Sequence, residues 1–191
     1  MTGSSPETLL DLPVTEATAR TVAPFGELVA DTVTQAIDIP YYRGRVIEGG
    51  DIGFRYRGRA ALRTAQVLPG QTSEVHWLER HLHLTQLFVG LSGPYVMVLA
   101  PPNDDADPDG VPDLNETVAL RFPAASALLL HLGTWHDFPI AVSEPVTLLI
   151  GNSEEVVDAL QRAGGPRELN EGDVRKISLT QRFGVTIRPR L

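Results

Sequence analysis

The chain lacks cysteine altogether, which excludes disulfide bridges, thiolate metal sites and a cysteine nucleophile. It has no apolar run of the ~20 residues that a membrane-spanning helix needs. Residues 1–10 lack the basic segment and the apolar core of a secretory signal. The net charge of −8 argues against general nucleic-acid binding. These absences predict a cytoplasmic protein without membrane or nucleic-acid partners.

What the chain does contain is typical of a turn-rich β protein. Its 191 residues are enough for one domain, and 17 glycines and 15 prolines suit short strands better than a helical bundle. The candidate strands are FGELVA, YYRGRVI, DIGFRYR, AALRTAQVL, SEVHWLER, TQLFVGLS, PYVMVLA, ETVALRF, SALLLHL and PVTLLIG. Many short strands separated by glycine and proline turns predict a sandwich or a barrel.

Two short helices and two terminal segments complete the predicted architecture. Thr15 is a candidate N-cap for a helix over TEATARTVA, and Ser153 is one for a helix over EEVVDALQRA. We expect a flexible leader over residues 1–14, a barrel domain over residues 15–163 and a basic C-terminal arm over residues 164–191. This arm either adds a strand or extends to an acidic surface of its own or a partner subunit.

Two stretches carry the histidines, HWLERHLHLTQLFVGLSG and HLGTWHDFP. Glu79 and His81 are two residues apart, so on a strand they share a face. Gln86 follows five residues after His81, and His136 comes after a glycine turn. This layout resembles the two motifs of the cupin superfamily, with Glu79 and Gln86 replacing the usual His and Glu. The resemblance implies an RmlC-like double-stranded β-helix, or jelly-roll barrel, in which Glu79, His81, Gln86 and His136 bind one divalent metal ion.

A narrower resemblance adds an activity. The motifs L-E-R-H, T-Q-x-F, P-D-L and H-x-x-x-W-H, after the opening APFGELV, follow the order that is characteristic of the ureidoglycolate lyase family. The resemblance covers residues 15–152. It implies a homodimeric enzyme that cleaves ureidoglycolate to glyoxylate and urea in purine (allantoin) catabolism. The chain departs from the family in three places: Asp137 replaces a second histidine, a lysine near the Gly93 turn is absent, and residues 167–191 have no counterpart.

The implied substrate is a small 2-hydroxy acid, whose cleavage needs proton transfer and a cation for the carboxylate. We expect His131, His136 or Asp137 to transfer protons, although His131 also fits a structural position at the rim. Gln86 and Trp135 are candidates for substrate contact, although Trp135 also fits a position that packs over the barrel mouth without touching substrate. The carboxylate would pair with Arg80 or with one of the alternating arginines Arg43, Arg45, Arg55, Arg57, Arg59 and Arg63.

Two other functions are compatible with the same pattern. The first is a metal-dependent cupin enzyme of different chemistry, an isomerase or a dioxygenase. The second is a noncatalytic cupin that binds a small acid, because a fold alone does not determine a function. Bound metal and a substrate panel would discriminate among these possibilities.

Overall fold

The computed structural model describes residues 8–30, 32–70, 73–103, 107 and 109–191. Within them the chain folds into two facing β-sheets with short helices. The larger sheet contains β1 (Thr8–Glu16), β6 (Trp77–Arg80), β8 (Tyr95–Ala100), β9 (Val118–Phe122), β11 (Trp135–His136), β12 (Ile140–Ala141), β14 (Leu169–Glu171), β15 (Val174–Ser178) and β16 (Val185–Arg190). The smaller sheet contains β2 (Gly26–Val29), β5 (Ala60–Val67), β7 (Leu87–Gly90), β10 (Ala127–Leu130) and β13 (Val146–Ser153). A ribbon of β3 (Ile37–Asp38) and β4 (Ile47–Glu48) and the helices α1 (Ala19–Val22), α2 (Glu154–Arg162) and α3 (Leu179–Phe183) complete the elements.

The larger sheet curls almost into a closed cylinder. Its strands follow the order β14-β15-β6-β11-β8-β9-β1-β16, with β12 paired to β8. At the far edge of this sheet, Ile187 of β16 pairs with Val75, which lies two residues before the start of β6. The smaller sheet has the antiparallel order β2-β10-β7-β13-β5. The predicted architecture, a mainly β cupin-type jelly-roll barrel with short helices, is confirmed.

Each face of strand β8 is buried in a different core. Met97 and Leu99 point between the two sheets, where they join Phe88 and Leu128 of the smaller sheet. Val98, on the opposite face, lies inside the curl of the larger sheet with Leu12, Trp135, Ile177 and Ile187. A strand that is buried on both faces needs apolar residues at every position. The segment YVMVLA accordingly shows no polar alternation.

The two chain ends pair with each other inside the larger sheet. Strand β1 runs parallel to β16 from the Thr8–Val185 pair to the Pro13–Arg190 pair, and it then runs beside β9. The predicted flexible leader is therefore wrong from Thr8 onward, and residues 1–7 lie outside the described residues. Of the two predicted alternatives for the C-terminal arm, an added strand or an extension to an acidic surface, the structure shows the first, because β14, β15 and β16 are strands of this same sheet.

The predicted strands from AALRTAQVL to PVTLLIG, and FGELVA before them, are confirmed within a few residues. The segment DIGFRYR forms no strand although its apolar residues alternate. Gly53 and Gly58 have φ angles of +65° and +107°, which lie outside the β region and interrupt any hydrogen-bonded ladder. YYRGRVI likewise contains a 3₁₀ turn at Pro40–Tyr42 and reaches a strand only in β4.

The two predicted helices form, one of them later than expected. Helix α1 begins at Ala19, and its N-cap is Thr18 rather than Thr15, because the Thr18 hydroxyl accepts the backbone N–H of Thr21 at 3.1 Å. Helix α2 has the predicted N-cap, Ser153, whose hydroxyl accepts the N–H of Val156 at 3.2 Å. Within the described ranges, no helix has the length and apolar character to span a membrane.

Candidate metal centre

A buried cluster of two histidines and one glutamate lies between the two sheets. Glu79 is in β6, and His81 follows two residues later on the same side of the chain. His136 is in β11, directly opposite Glu79 in the antiparallel ladder, so the two side chains share a face. The exposed fractions are 5% for Glu79, 3% for His81 and 1% for His136. One potential ligand atom from each residue lies within 4.8 Å of the others.

The turn between β10 and β11 brings His136 to this position. Gly133 has a φ of +79°, a conformation that glycine adopts without steric cost. Its backbone N–H donates to the carbonyl oxygen of His81 at 2.6 Å. This hydrogen bond ties the second histidine-containing stretch to the first, so residues far apart in sequence meet at one point.

Both imidazole rings are held so that Nε2 faces the carboxylate. The Nδ1–H of His81 donates to the carbonyl oxygen of Asp173 at 2.7 Å, and that of His136 donates to the carbonyl oxygen of Thr134 at 3.0 Å. A carbonyl oxygen only accepts, so in a neutral ring the lone pair is on Nε2. Each Nε2 lies 3.8 Å from Oε1 of Glu79. His81 Nε2 is buried and has no hydrogen-bond partner among the described atoms.

This arrangement of acceptors fits a metal cation. Three lone-pair donors, two imidazole nitrogens and one carboxylate oxygen, converge at one buried point, where they favour a positively charged group. Two imidazoles with one carboxylate form a ligand set that first-row divalent metals accept. Metal-bound histidines also typically donate their other ring N–H to a carbonyl or carboxylate, as His81 and His136 do.

Gln86 reaches the cluster from the smaller sheet, where it directly precedes β7. Its side-chain amide lies 2.7 Å from Nε2 of His136. Burial lowers the pKa of His136 to about 4, although Glu79 opposes that effect. In a neutral His136, Nε2 accepts a hydrogen bond, so the Gln86 amide must donate its NH₂ to this nitrogen. This orientation is possible because the oxygen and nitrogen ends of an amide have nearly the same shape. The predicted meeting of Gln86 with His136 is therefore present, and its role as metal ligand or substrate contact stays a prediction.

Lys176 neutralises the carboxylate from the other side. Its Nζ lies 2.9 Å from Oε2 of Glu79 and 3.5 Å from Oδ1 of Asp137. Burial alone would raise the pKa of Glu79, but Lys176 and the two imidazoles outweigh burial and hold that pKa at about 2. Burial raises the pKa of Asp137 above its ordinary value against the influence of Lys176. Burial would lower the pKa of Lys176, and the two carboxylates more than reverse this, so the pKa of its ammonium is raised.

Sequence reasoning did not include Lys176 or Asp173, which both come from the C-terminal segment. The Asp173 carbonyl orients His81, and its carboxylate accepts the backbone N–H of Leu82 at 3.0 Å and of His83 at 3.1 Å. One signal was available, since Lys176 is the only lysine in a chain with 15 arginines. A chain that uses arginine elsewhere and lysine once marks a position where a compact point charge is required.

Arg80 and Trp135, expected at the substrate, lie on the opposite face of their strands. Each is the direct neighbour of a cluster residue, and successive strand residues point to opposite faces. The Arg80 guanidinium lies 4.9 Å from the centre of the Trp135 ring. Both side chains donate to Oδ1 of Asn103, at 2.6 Å and 3.0 Å. Both are fully buried on the face away from the cluster, an arrangement that favours packing, and their contact with substrate stays a prediction.

The predicted proton-transfer residues are divided between two places. Asp137 lies next to the cluster, because its carboxylate contacts Lys176, which in turn binds Glu79. His136 is itself a residue of the cluster. His131 is exposed in the turn before β11 and is outside the buried cluster, so the structure does not support its catalytic role. The alternating arginines are all exposed: Arg43, Arg45, Arg55, Arg57, Arg59 and Arg63.

Fold and site together define a cupin-type barrel with a buried histidine–carboxylate centre that could hold a metal ion. The model of the ureidoglycolate lyase family matches residues 10–169, so the chain belongs to the ureidoglycolate lyase family. This membership indicates an enzyme of the lyase class. The matched range contains the whole cluster and ends before Asp173 and Lys176.

Among solved structures, one similar chain is the dTDP sugar isomerase from Desulfovibrio desulfuricans G20. It is 18% identical with a TM-score of 0.38, over 66% of this chain and 76% of that chain. This likeness is too distant to carry a conclusion about function. No curated protein matches the chain.

Proposed function

We propose that the protein cleaves ureidoglycolate, or a closely related 2-hydroxy acid ureide, to glyoxylate and urea. The observation that carries this proposal is the buried Glu79–His81–His136 cluster inside the segment that matches the ureidoglycolate lyase family. A cluster that could hold a metal ion, next to a partly buried proton-transfer group, is suited to the elimination of urea from a carbinol.

The reaction breaks the bond between the carbinol carbon and the urea nitrogen. The hydroxyl oxygen loses its proton and becomes the carbonyl of glyoxylate, and the departing nitrogen gains a proton. A divalent ion held by Glu79, His81 and His136, with Gln86 as a fourth donor, would make the substrate hydroxyl more acidic. Side chains of this protein carry out the proton transfers themselves.

Asp137 is the group that we assign to proton transfer. Burial raises its pKa above the ordinary value of 3.8, which brings a carboxylate closer to the range where it accepts a proton effectively. Its side chain keeps 24% of its surface exposed, so a substrate can reach it. Asp137 takes the hydroxyl proton and returns it to the leaving nitrogen, while Lys176 keeps the carboxylate in place at 3.5 Å.

The activity is tested by measuring glyoxylate and urea from ureidoglycolate with the purified protein, with and without a chelator. We expect equal amounts of both products and a loss of activity on chelation. Asp137→Asn should lower kcat by roughly 10²- to 10⁴-fold, whereas the matched variant Asp158→Asn on α2 should retain it. Absence of urea in the presence and in the absence of added metal would rule out this reaction.

The metal assignment has its own test, which does not depend on turnover. Elemental analysis should find about one divalent ion per chain, because residues 8–30, 32–70, 73–103, 107 and 109–191 contain one such cluster of three ligands. His81→Ala and His136→Ala should lose that ion. The control His83→Ala should retain it, because His83 is an exposed histidine that binds Asp173 at 2.8 Å. Equal metal content in all three variants would contradict the assignment.

The homodimer that the family resemblance implies stays a prediction. Light scattering coupled to size exclusion would give twice the mass of the chain if it is correct. A monomeric mass over a hundredfold range of concentration would contradict it.

A further inference from the structure

A cavity lies at the end of the barrel next to the cluster. It has a volume of about 360 Å³, and helix α2 covers one side of it. Its walls include Arg63, Ala65, Phe138, Ile150, Asn152 and Leu160. Apolar walls with a few polar groups are typical of sites for small organic ligands. The mechanism described above uses none of these residues.

Strand register connects this cavity to the cluster. In the smaller sheet, Ile150 pairs with Arg63 on one side and with Phe88 on the other. Gly151 pairs with Leu87, so the same register places Asn152 opposite Gln86. Directly opposite residues share a face, with Cβ atoms about 5 Å apart. Asn152 therefore stands beside Gln86, whose amide contacts His136 at 2.7 Å.

Two aromatic rings continue the connection along the wall. The ring of Phe138, which lines the cavity, lies 6.1 Å from the ring of Phe88 in an edge-to-face arrangement. The ring of Phe88 in turn lies 6.0 Å from that of His136. The cavity and the cluster thus share one continuous inner surface of the barrel.

The polar groups of the cavity are available for a ligand. Asn152 is 8% exposed, and its Oδ1 is buried without a hydrogen-bond partner in the described part of the chain. A buried acceptor of this kind needs an N–H donor. Arg63 makes no ion pair with any residue that the structure describes, unlike Arg59, which contacts Glu154 at 2.7 Å. A free guanidinium beside an apolar wall is suited to a carboxylate.

We propose that this cavity binds a carboxylic acid that carries an amide or ureido N–H, with Arg63 on the carboxylate and Asn152 on the N–H. The inference rests on the proposed function, and it assigns to that function its substrate-recognition residues. The apolar wall of Phe138 and Ile150 contacts the carbon skeleton of the ligand. Ureidoglycolate is much smaller than the drug-sized ligands that such cavities enclose, so larger N-substituted ureido acids also fit.

The test measures binding rather than turnover. The probe is N-carbamoylglycine, which has the carboxylate and the ureido group of ureidoglycolate but no hydroxyl, so it cannot eliminate urea. Isothermal titration calorimetry gives its Kd for the protein as purified and for the variants Arg63→Gln, Asn152→Leu and Arg45→Gln. The last variant removes the same charge from an exposed arginine elsewhere. N-carbamoylglycinamide, which is neutral, serves as the second ligand.

We expect Arg63→Gln to weaken binding of N-carbamoylglycine by roughly 10- to 100-fold, since a hydrogen-bonded charge is lost. Asn152→Leu should weaken it about tenfold, and Arg45→Gln should leave it unchanged. The unmodified protein should prefer the acid to the neutral amide, and Arg63→Gln should abolish that preference. An equal Kd in Arg63→Gln and in the unmodified protein, or no binding at all, would overturn the proposal.

Turnover of ureidoglycolate by the same preparations separates the two proposals. Binding that depends on Arg63 without release of urea would support the cavity assignment and contradict the lyase reaction. Release of urea with a KM that Arg63→Gln leaves unchanged would support the reaction and contradict the cavity assignment.

Discussion

The ion pair between Lys176 and Glu79 can be tested by removing its positive partner. Nζ of Lys176 lies 2.9 Å from Oε2 of a glutamate that is 5% exposed. Burial raises the pKa of Glu79, but Lys176 and the two imidazoles together outweigh burial and lower that pKa from 4.5 to about 2. In metal-free protein at pH 7, Lys176→Met should lower the free energy of unfolding by about 3–5 kcal/mol, because removal of one partner leaves a buried carboxylate without its counter-charge.

The pH dependence of this effect has a definite sign. With Lys176 present, the pKa of Glu79 is lowered, so the carboxylate contributes stability above pH 4.5 and loses it as the pH falls towards 2. Without Lys176, burial raises the pKa of Glu79, so the penalty is relieved as the pH falls and the carboxylate takes up a proton. The difference between the two proteins should be largest near pH 7 and should shrink in acid.

Urea denaturation of four chelated proteins provides the measurement: unmodified, Lys176→Met, Glu79→Gln and the double variant. In the Glu79→Gln background, Lys176→Met should cost less than about 1 kcal/mol, because the buried carboxylate of Glu79 is gone and only the partly exposed Asp137, at 3.5 Å, still pairs with Lys176. The same cost in both backgrounds would refute the reasoning, since Lys176 would then stabilise the fold through packing alone.

Three further predictions concern the rest of the molecule. Because burial lowers the pKa of His136 from 6.5 to about 4, metal-free protein should lose up to roughly 3 kcal/mol of stability between pH 6.5 and 4. The variant His136→Gln should show a flatter pH dependence in urea titrations. Truncation after Gly164 removes β14, β15 and β16 from the larger sheet, so circular dichroism should show no cooperative unfolding, and a retained transition would contradict this. Gly26→Ala would place a Cβ 2.3 Å from the carbonyl oxygen of Leu129 and should cost about 1–3 kcal/mol. Gly165→Ala, with nothing within 4 Å of its Cβ, is the matched control, and equal stability of these two variants would contradict the expected clash.

Local sequence patterns predicted the parts of this protein that depend on one strand at a time. The two-residue spacing of Glu79 and His81 determines that both face the same way, because side chains alternate along a strand. The glycine turn before His136 predicts that the chain reverses there, and the structure shows that it passes at this turn from the smaller sheet to the larger one. Most strands and helix α2 were predicted for the same reason, since their turn residues and caps lie next to them in sequence.

The predictions that failed depend on neighbours distant in sequence. No local pattern shows that Thr8 pairs with Val185, so the N-terminal residues were expected to be a leader, and the sequence alone did not decide whether the C-terminal segment adds strands to the barrel. A second long-range pairing, between β15 of the C-terminal segment and β6, places Lys176 opposite Glu79. Arg80 and Trp135 were candidates for substrate contact, and strand alternation turns both to the face away from the cluster. The sequence by itself thus determined which residues can bind a metal, and only the tertiary structure decided which charge compensates them, because a buried carboxylate is stabilised by its neighbours in space.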